Sequence, residues 1–348
     1  MIPFSHRRVR RVLPALATIA FALPLAGQRA ERFTLEGREA AVHNLVGEVT
    51  VAAGSGRSVV VEITRAGEDA DELRVARTGD AIRVVYPGDR IVYPRMGARS
   101  RSTLQVRRDG TLGGSMAGSR RVTVAGSGQG TRAYADVRVL VPAGRAVSVH
   151  HGVGVVRVTN VNGRVVVNGA SASVEARGTR GELDVDVGSG SVEVRDADGQ
   201  VTVETGSGAV ELENVRGTRL DVSTGSGRVR GVGLRVAALE VEVGSGSVAL
   251  NGVQSRGVTV ETGSGSVQLG LTSDADLAVE TGSGSVAITV PSSFGAELDI
   301  DTGSGGIDVD LPVTNRRASR GSFRGRVGDG NGSARISTGS GGVRIRRD

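Results

Sequence analysis

The sequence predicts an all-β protein: a single parallel β-solenoid of about 18–19 residues per coil, with a β-rich N-terminal cap region. Three observations carry that prediction. The 348 residues include 54 glycines and eight prolines without a three-residue period, which excludes collagen. Apolar and polar residues alternate with period two over many short stretches built on valine, the pattern of half-buried strands. Finally, the tripeptide Gly-Ser-Gly recurs at a nearly constant interval.

Within the repetitive segment the tripeptide starts at Gly188, Gly206, Gly225, Gly244, Gly263, Gly282, Gly303 and Gly339, so the steps are 18, 19, 19, 19, 19, 21 and 36 residues. Ala170-Ser171-Ala172 and Gly152-Val153-Gly154 continue the series upstream. The 36-residue step reads as two periods, with one degraded copy near Gly321-Ser322. Each copy places an alternating segment before the glycines, such as Leu239-Glu240-Val241-Glu242, and a shorter one after them, such as Val248-Ala249-Leu250. Gly-Ser-Gly then serves as a bend, since glycine reaches the positive φ that a tight corner demands. Asn214-Val215-Arg216-Gly217 and Asn251-Gly252-Val253 mark a second corner. Flanking strands on both sides argue against a flexible-linker role for the tripeptide. A constant period favours coiling over a meander of hairpins, because coiling stacks equivalent residues at about 4.8 Å.

Stacking predicts columns. Leu183, Val201, Leu220, Leu239, Val258, Leu277 and Leu298 form one inward column; Val185, Val203, Val222, Val241, Val260, Val279 and Ile300 form the next. Asp186, Glu204, Glu242, Glu261, Glu280 and Asp301 share an outward column interrupted by Ser223, a ladder with capacity for weak cation binding. Thr205, Thr224, Thr262, Thr281, Thr302 and Thr338 form a hydroxyl column expected to satisfy corner backbone. The terminal Val343-Arg344-Ile345-Arg346-Arg347 is expected on the last coil, where arginines blunt an exposed edge.

Residues 1–27 read as a signal peptide: a basic His6-Arg7-Arg8-Val9-Arg10-Arg11 region, an apolar stretch over 12–27, and a small-residue cleavage site at Leu25-Ala26-Gly27. Residues 28–145 are an irregular β-rich capping region and 146–348 the repetitive solenoid. Export is therefore expected, to the periplasm or the cell surface, with no integral membrane segment after cleavage. The formal charge of +6 includes four arginines of the signal, so the mature chain carries +2, a weak basis for nucleic-acid binding. Residues 174–310 hold 9 arginines against 22 acids, whereas 311–348 hold 9 against 2.

The run Val137-Arg138-Val139-Leu140-Val141-Pro142-Ala143-Gly144, followed by Gly-x-Val-x-Val coils, resembles the DUF4097 family, a bacterial domain of unknown function labelled as adhesin-like. It is also similar to the head domains of autotransporter-type adhesins. The resemblance implies an exported β-solenoid acting on an unknown protein or glycan of the cell envelope or surface.

No catalytic, cofactor-binding or metal-ligating residues are assigned. The chain lacks cysteine, which excludes disulfides and thiolate chemistry. His150 and His151 point to opposite faces of a strand, a poor geometry for one metal. No serine lies in a recognisable nucleophile elbow. The reading is a non-enzymatic, adhesin-like interaction module. The alternatives are a carbohydrate-active β-helix enzyme, disfavoured by the absence of tryptophan and the short corners, or a structural envelope spacer.

Overall fold

The computed structural model describes residues 30–113 and 118–348. The expected signal peptide lies outside them. Strands dominate the described residues, and the two short helical turns, Ala70–Glu72 and Pro94–Met96, are both 3₁₀. The central feature is a long ladder of parallel rungs. Each consists of a longer strand, a corner at the Gly-Ser-Gly position, and a shorter strand, as in Arg180–Ser189 followed by Val192–Arg195.

Register follows the repeat. Val185 pairs with Val203, Val203 with Val222, Val222 with Val241, Val241 with Val260, and Val260 with Val279. Short strands stack in the same way, Val192 on Val210 and Val248 on Val267. The inward valines and leucines are almost completely buried and join one continuous cluster. Each layer thus contributes the same few side chains, and burial accumulates rung by rung.

The second glycine of the tripeptide is required for two reasons at once. Gly265 has φ +146°, and a Cβ built on it would come within 1.8 Å of the Gly246 carbonyl oxygen one rung away. Gly246 stands in the same relation to Gly227. At the opposite corner the left-handed conformation is taken by Asn160, Asp196 and Asn214, each at φ 54°, and by Gly178, Gly233 and Gly252. Asn and Asp are the side chains that best tolerate this region.

The ladder begins earlier than the repetitive segment. Glu39–Ala53 pairs in parallel with Arg145–Thr159, placing His43 against His150 and Gly47 against Gly154. Residues 54–144 are inserted between these two neighbouring rungs. The far edge of Glu39–Ala53 is covered by Ala81–Val85 and Tyr134–Val141, while Val59–Ala66 links Tyr134–Val141 to Glu31–Leu35 by antiparallel pairing. A separate small sheet joins Arg90–Val92, Ser119–Ala125 and Arg101–Arg107.

The C-terminal end departs from the expected order. Gly332–Ser340 lies between Asp276–Ser283 and Ala296–Thr302, pairing in parallel with both. Ala334 therefore separates Leu277 from Leu298, Ile336 separates Val279 from Ile300, and Ser337 separates Glu280 from Asp301. Likewise Val343–Arg347 sits between Val286–Val290 and Ile307–Asp310, so the arginine-rich terminus is an internal rung and not the protecting edge. The segment around Gly321-Ser322 is not a degraded copy. It is the turn of a hairpin in which Ser322–Val327 runs antiparallel to Ala296–Thr302 and is backed by Val313–Ser319. The physical reason is that any strand with the right alternation and spacing completes a rung equally well. The hairpin reverses the chain and gives the last long strand a partner.

The corner chemistry gives a paired test. Gly265→Ala should destabilise the protein by roughly 2 kcal/mol or more, from conformational strain plus the carbonyl clash. Gly257→Ala, whose Cβ would meet nothing within 4 Å, should change stability by less than about 1 kcal/mol. Chemical denaturation of the two variants checks this, and equal effects would refute the stacking argument.

Candidate functional site

The outward face of the longer strands carries the most distinctive chemistry. Register places Asp186 beside Glu204, Glu204 beside Ser223, Ser223 beside Glu242, and Glu242, Glu261 and Glu280 in direct succession. All of these acids are exposed. Neighbouring columns are neutralised across rungs: Arg157 bridges Glu48 and Glu175, Arg195 bridges Glu193 and Glu213, and Arg219 bridges Asp221 and Glu240. No ion pair reaches Asp186, Glu204, Glu242, Glu261, Glu280 or Asp301 among the described residues. From Asp186 to Glu242 the stripe is consequently a line of negative charge without an arginine partner, about 4.8 Å per step where the acids adjoin, while Arg335 and Arg324 stand near its Glu280–Asp301 end. Beside it the glycine corners, including Gly225, Gly244, Gly263 and Gly282, leave a shallow open channel. Among the described residues no group of three or more His, Asp or Glu side chains is placed to hold a metal ion.

The threonine column faces inward and is buried. Thr281, Thr302 and Thr338 donate to the carbonyls of Gly265, Gly305 and Gly284, at 3.3, 2.8 and 3.1 Å. The Oγ1 atoms of Thr205, Thr224 and Thr262 have no partner. The hydroxyl ladder is thus only half satisfied. Val187 and Val243 occupy the same column, so threonine serves there as a valine-shaped filler.

Three histidines meet where the inserted region packs on the first rungs. His43 and His150 stack with ring centroids 4.3 Å apart, and Leu112 N donates to His43 Nδ1 at 3.2 Å. Because side chains alternate, His151 turns inward, with Nδ1 and Nε2 each 3.0 Å from the carbonyls of Asn44 and Gly47. Burial lowers His151 to about 4, overcoming the pull of the two carbonyls in the other direction. Burial, with the His150 and Arg83 charges, lowers His43 to about 3. Sequence reading set these rings on opposite faces but could not see His43 beside His150, 107 residues away, since the insertion hides that adjacency.

The family's sequence profile, described as Toastrack DUF4097, matches residues 47–346. The chain belongs to the Toastrack DUF4097 family. The match starts within the first rung and ends on the last strand, so it spans both the ladder and the insertion. A search of curated proteins finds no match to this Toastrack chain. Among solved structures, one described as a "putative cell adhesion protein" from Clostridium sporogenes aligns over 92% of this chain and 100% of its own length. That alignment has 9% identity and a TM-score of 0.20. No helix among the described residues is long and apolar enough to cross a membrane.

Two outcomes follow. The unfolded chain binds histidine protons near the ordinary value of 6.5, while the fold admits them only near 4 at His151 and near 3 at His43. The unfolded state therefore binds more protons in this window, and stability falls as pH drops from 6.5 towards 4. Thermal melts across that range should show a decline that His43→Gln reduces. Separately, Glu261→Gln should raise stability by about 0.2–1 kcal/mol at low salt by relieving repulsion from Glu242 and Glu280. The gain should shrink in high salt, and a salt-independent change would exclude charge as its cause.

Proposed function

We propose that the protein is an exported, non-enzymatic, adhesin-like interaction module of the cell envelope or surface, each repeat closing as one coil of a solenoid. The observation that carries this reading is the unpaired acidic stripe. Arginines neutralise acids beside this column and leave this one bare, so a carboxylate recurs along a rigid support, interrupted at Ser223 and Ser337. Equally spaced groups suit multivalent contact, in which weak individual interactions add along the array. Family membership supports the architecture, and the basic and apolar N-terminal residues support export.

Location and activity are tested together with a C-terminally tagged full-length chain. Mature protein beginning near Gln28 should appear outside the cytoplasm. Protease should reach it in intact cells if it is surface-exposed, and only after lysis if it is periplasmic. An unprocessed cytoplasmic chain would overturn the export reading. Release of reducing ends from acidic or neutral polysaccharides by the purified protein would overturn the non-enzymatic one.

A further inference from the structure

The hairpin formed by Val313–Ser319 and Ser322–Val327 interrupts the repeat near its C-terminal end. Between it and the outward face of the adjoining rungs lies a groove of about 890 Å³. Arg316, Arg317 and Arg324 enter from the hairpin, and Arg335, Glu297 and Asp299 from the rungs.

Charge in this groove is unbalanced. Arg324 Nε lies 2.9 Å from Asp299 Oδ1, and Arg326 Nε lies 2.6 Å from Glu297 Oε1, so both carboxylates are already engaged. Arg316, Arg317 and Arg335 form no ion pair among the described residues, although Arg335 also borders Glu280 and Asp301. The Arg316 guanidinium instead sits 5.4 Å from the centroid of the Phe323 ring, which holds it in place without neutralising it.

Backbone geometry concentrates these cations. Pairing slips between Thr314 and Arg317, opposite Arg326 and Arg324, so the strand bulges at Asn315 and Arg316. Asn315 has φ 52°, a left-handed conformation that asparagine tolerates. A bulge re-aims side chains that would otherwise alternate, and Arg316 and Arg317 accordingly both line the groove. Gly325 lies opposite the bulge, where a Cβ would come within 2.3 Å of Val313 Cγ1. Arg316 and Arg317 on the hairpin and Arg335 on the neighbouring rung thus line one groove.

We propose that this groove binds an anionic polysaccharide, with Arg316, Arg317 and Arg335 receiving carboxylate, sulfate or phosphate groups on the sugar chain. The proposal rests on the interaction-module reading above and gives the module a second contact surface, opposite in charge to the acidic stripe. Arginine is suited to such groups because its planar donors pair bidentately with their oxygens. No aromatic ring lines the groove, so a nucleobase would find nothing to stack on. The one large apolar side chain that is exposed among the described residues, Val232, belongs to the Val229–Val232 strand and not to the groove, which disfavours insertion into a lipid surface.

Oligogalacturonate, a linear chain of uronates, is the probe, with neutral dextran as control, titrated against the full chain. Oligogalacturonate should bind in a salt-dependent manner and dextran should not. Arg316→Ala/Arg317→Ala and Arg335→Ala should each weaken binding by about tenfold or more. These positions are exposed, and unchanged melting temperatures would show that the variants fold. Undiminished binding by both variants, or no binding by the folded wild-type chain, would overturn the proposal. So would tighter binding to phosphatidylglycerol vesicles that the same variants abolish, which would reassign the groove to lipid. Attachment of the purified protein to whole cells separates the two levels. Attachment that the arginine variants retain leaves the interaction module standing without this groove, whereas loss of all attachment removes the module reading itself.

Discussion

The structure depends on one constraint: each rung must lie in register on the next at the spacing set by backbone hydrogen bonds. From that spacing come the columns, because a residue displaced by one period lands on its own equivalent. The same spacing imposes glycine at the corner, since the carbonyl of the neighbouring rung occupies the place a Cβ would take, as Gly246 does for Gly265. It also decides which side chains can be charged. An outward acid has a neighbour of the same register on the next rung, so its electrostatics depend on the repeat as well as on its local sequence.

How much of this is legible in the sequence follows from the same logic. The inward columns from Leu183 to Leu277 and the corners could be read directly, because period-two alternation and a fixed step leave little freedom. Rung order at the C-terminus could not. Ala334 and Ile336 satisfy an inward position as well between Leu277 and Leu298 as beyond them, and only a three-dimensional path distinguishes the two. The first rung was hidden for a different reason. Glu39–Ala53 carries Val42, Val49 and Val51 at suitable positions, but its partner follows after the long insertion, which breaks the apparent period.

Candidate surfaces were legible unevenly. The acidic ladder followed from register alone, apart from Ser337 between Glu280 and Asp301. Its lack of arginine partners did not, since Arg219 and Arg195 could have turned either way and in fact serve the adjacent columns. The arginine groove had only a compositional trace, the excess of basic residues after position 311. Composition cannot reveal that Arg344 pairs with Asp308 while Arg316 rests on Phe323.

A perfectly periodic ladder has a limitation as a recognition surface. Every step offers the same groups, so it can supply multiplicity but cannot by itself distinguish one end of a ligand from the other. Positional specificity requires a break in the period. This chain has two substantial breaks, the 54–144 insertion against the first rung and the hairpin against the last long strand. Both cover edges that would otherwise invite pairing with another chain, so their cost in regularity is offset by protection against aggregation. Once an edge must be covered by non-repeating residues, those residues are free of the column rule. Arg316 and Arg317 can stand side by side on a bulge, an arrangement that no position of the alternating ladder permits. Edge protection and a distinctive charged groove are therefore two consequences of the same departure from the repeat.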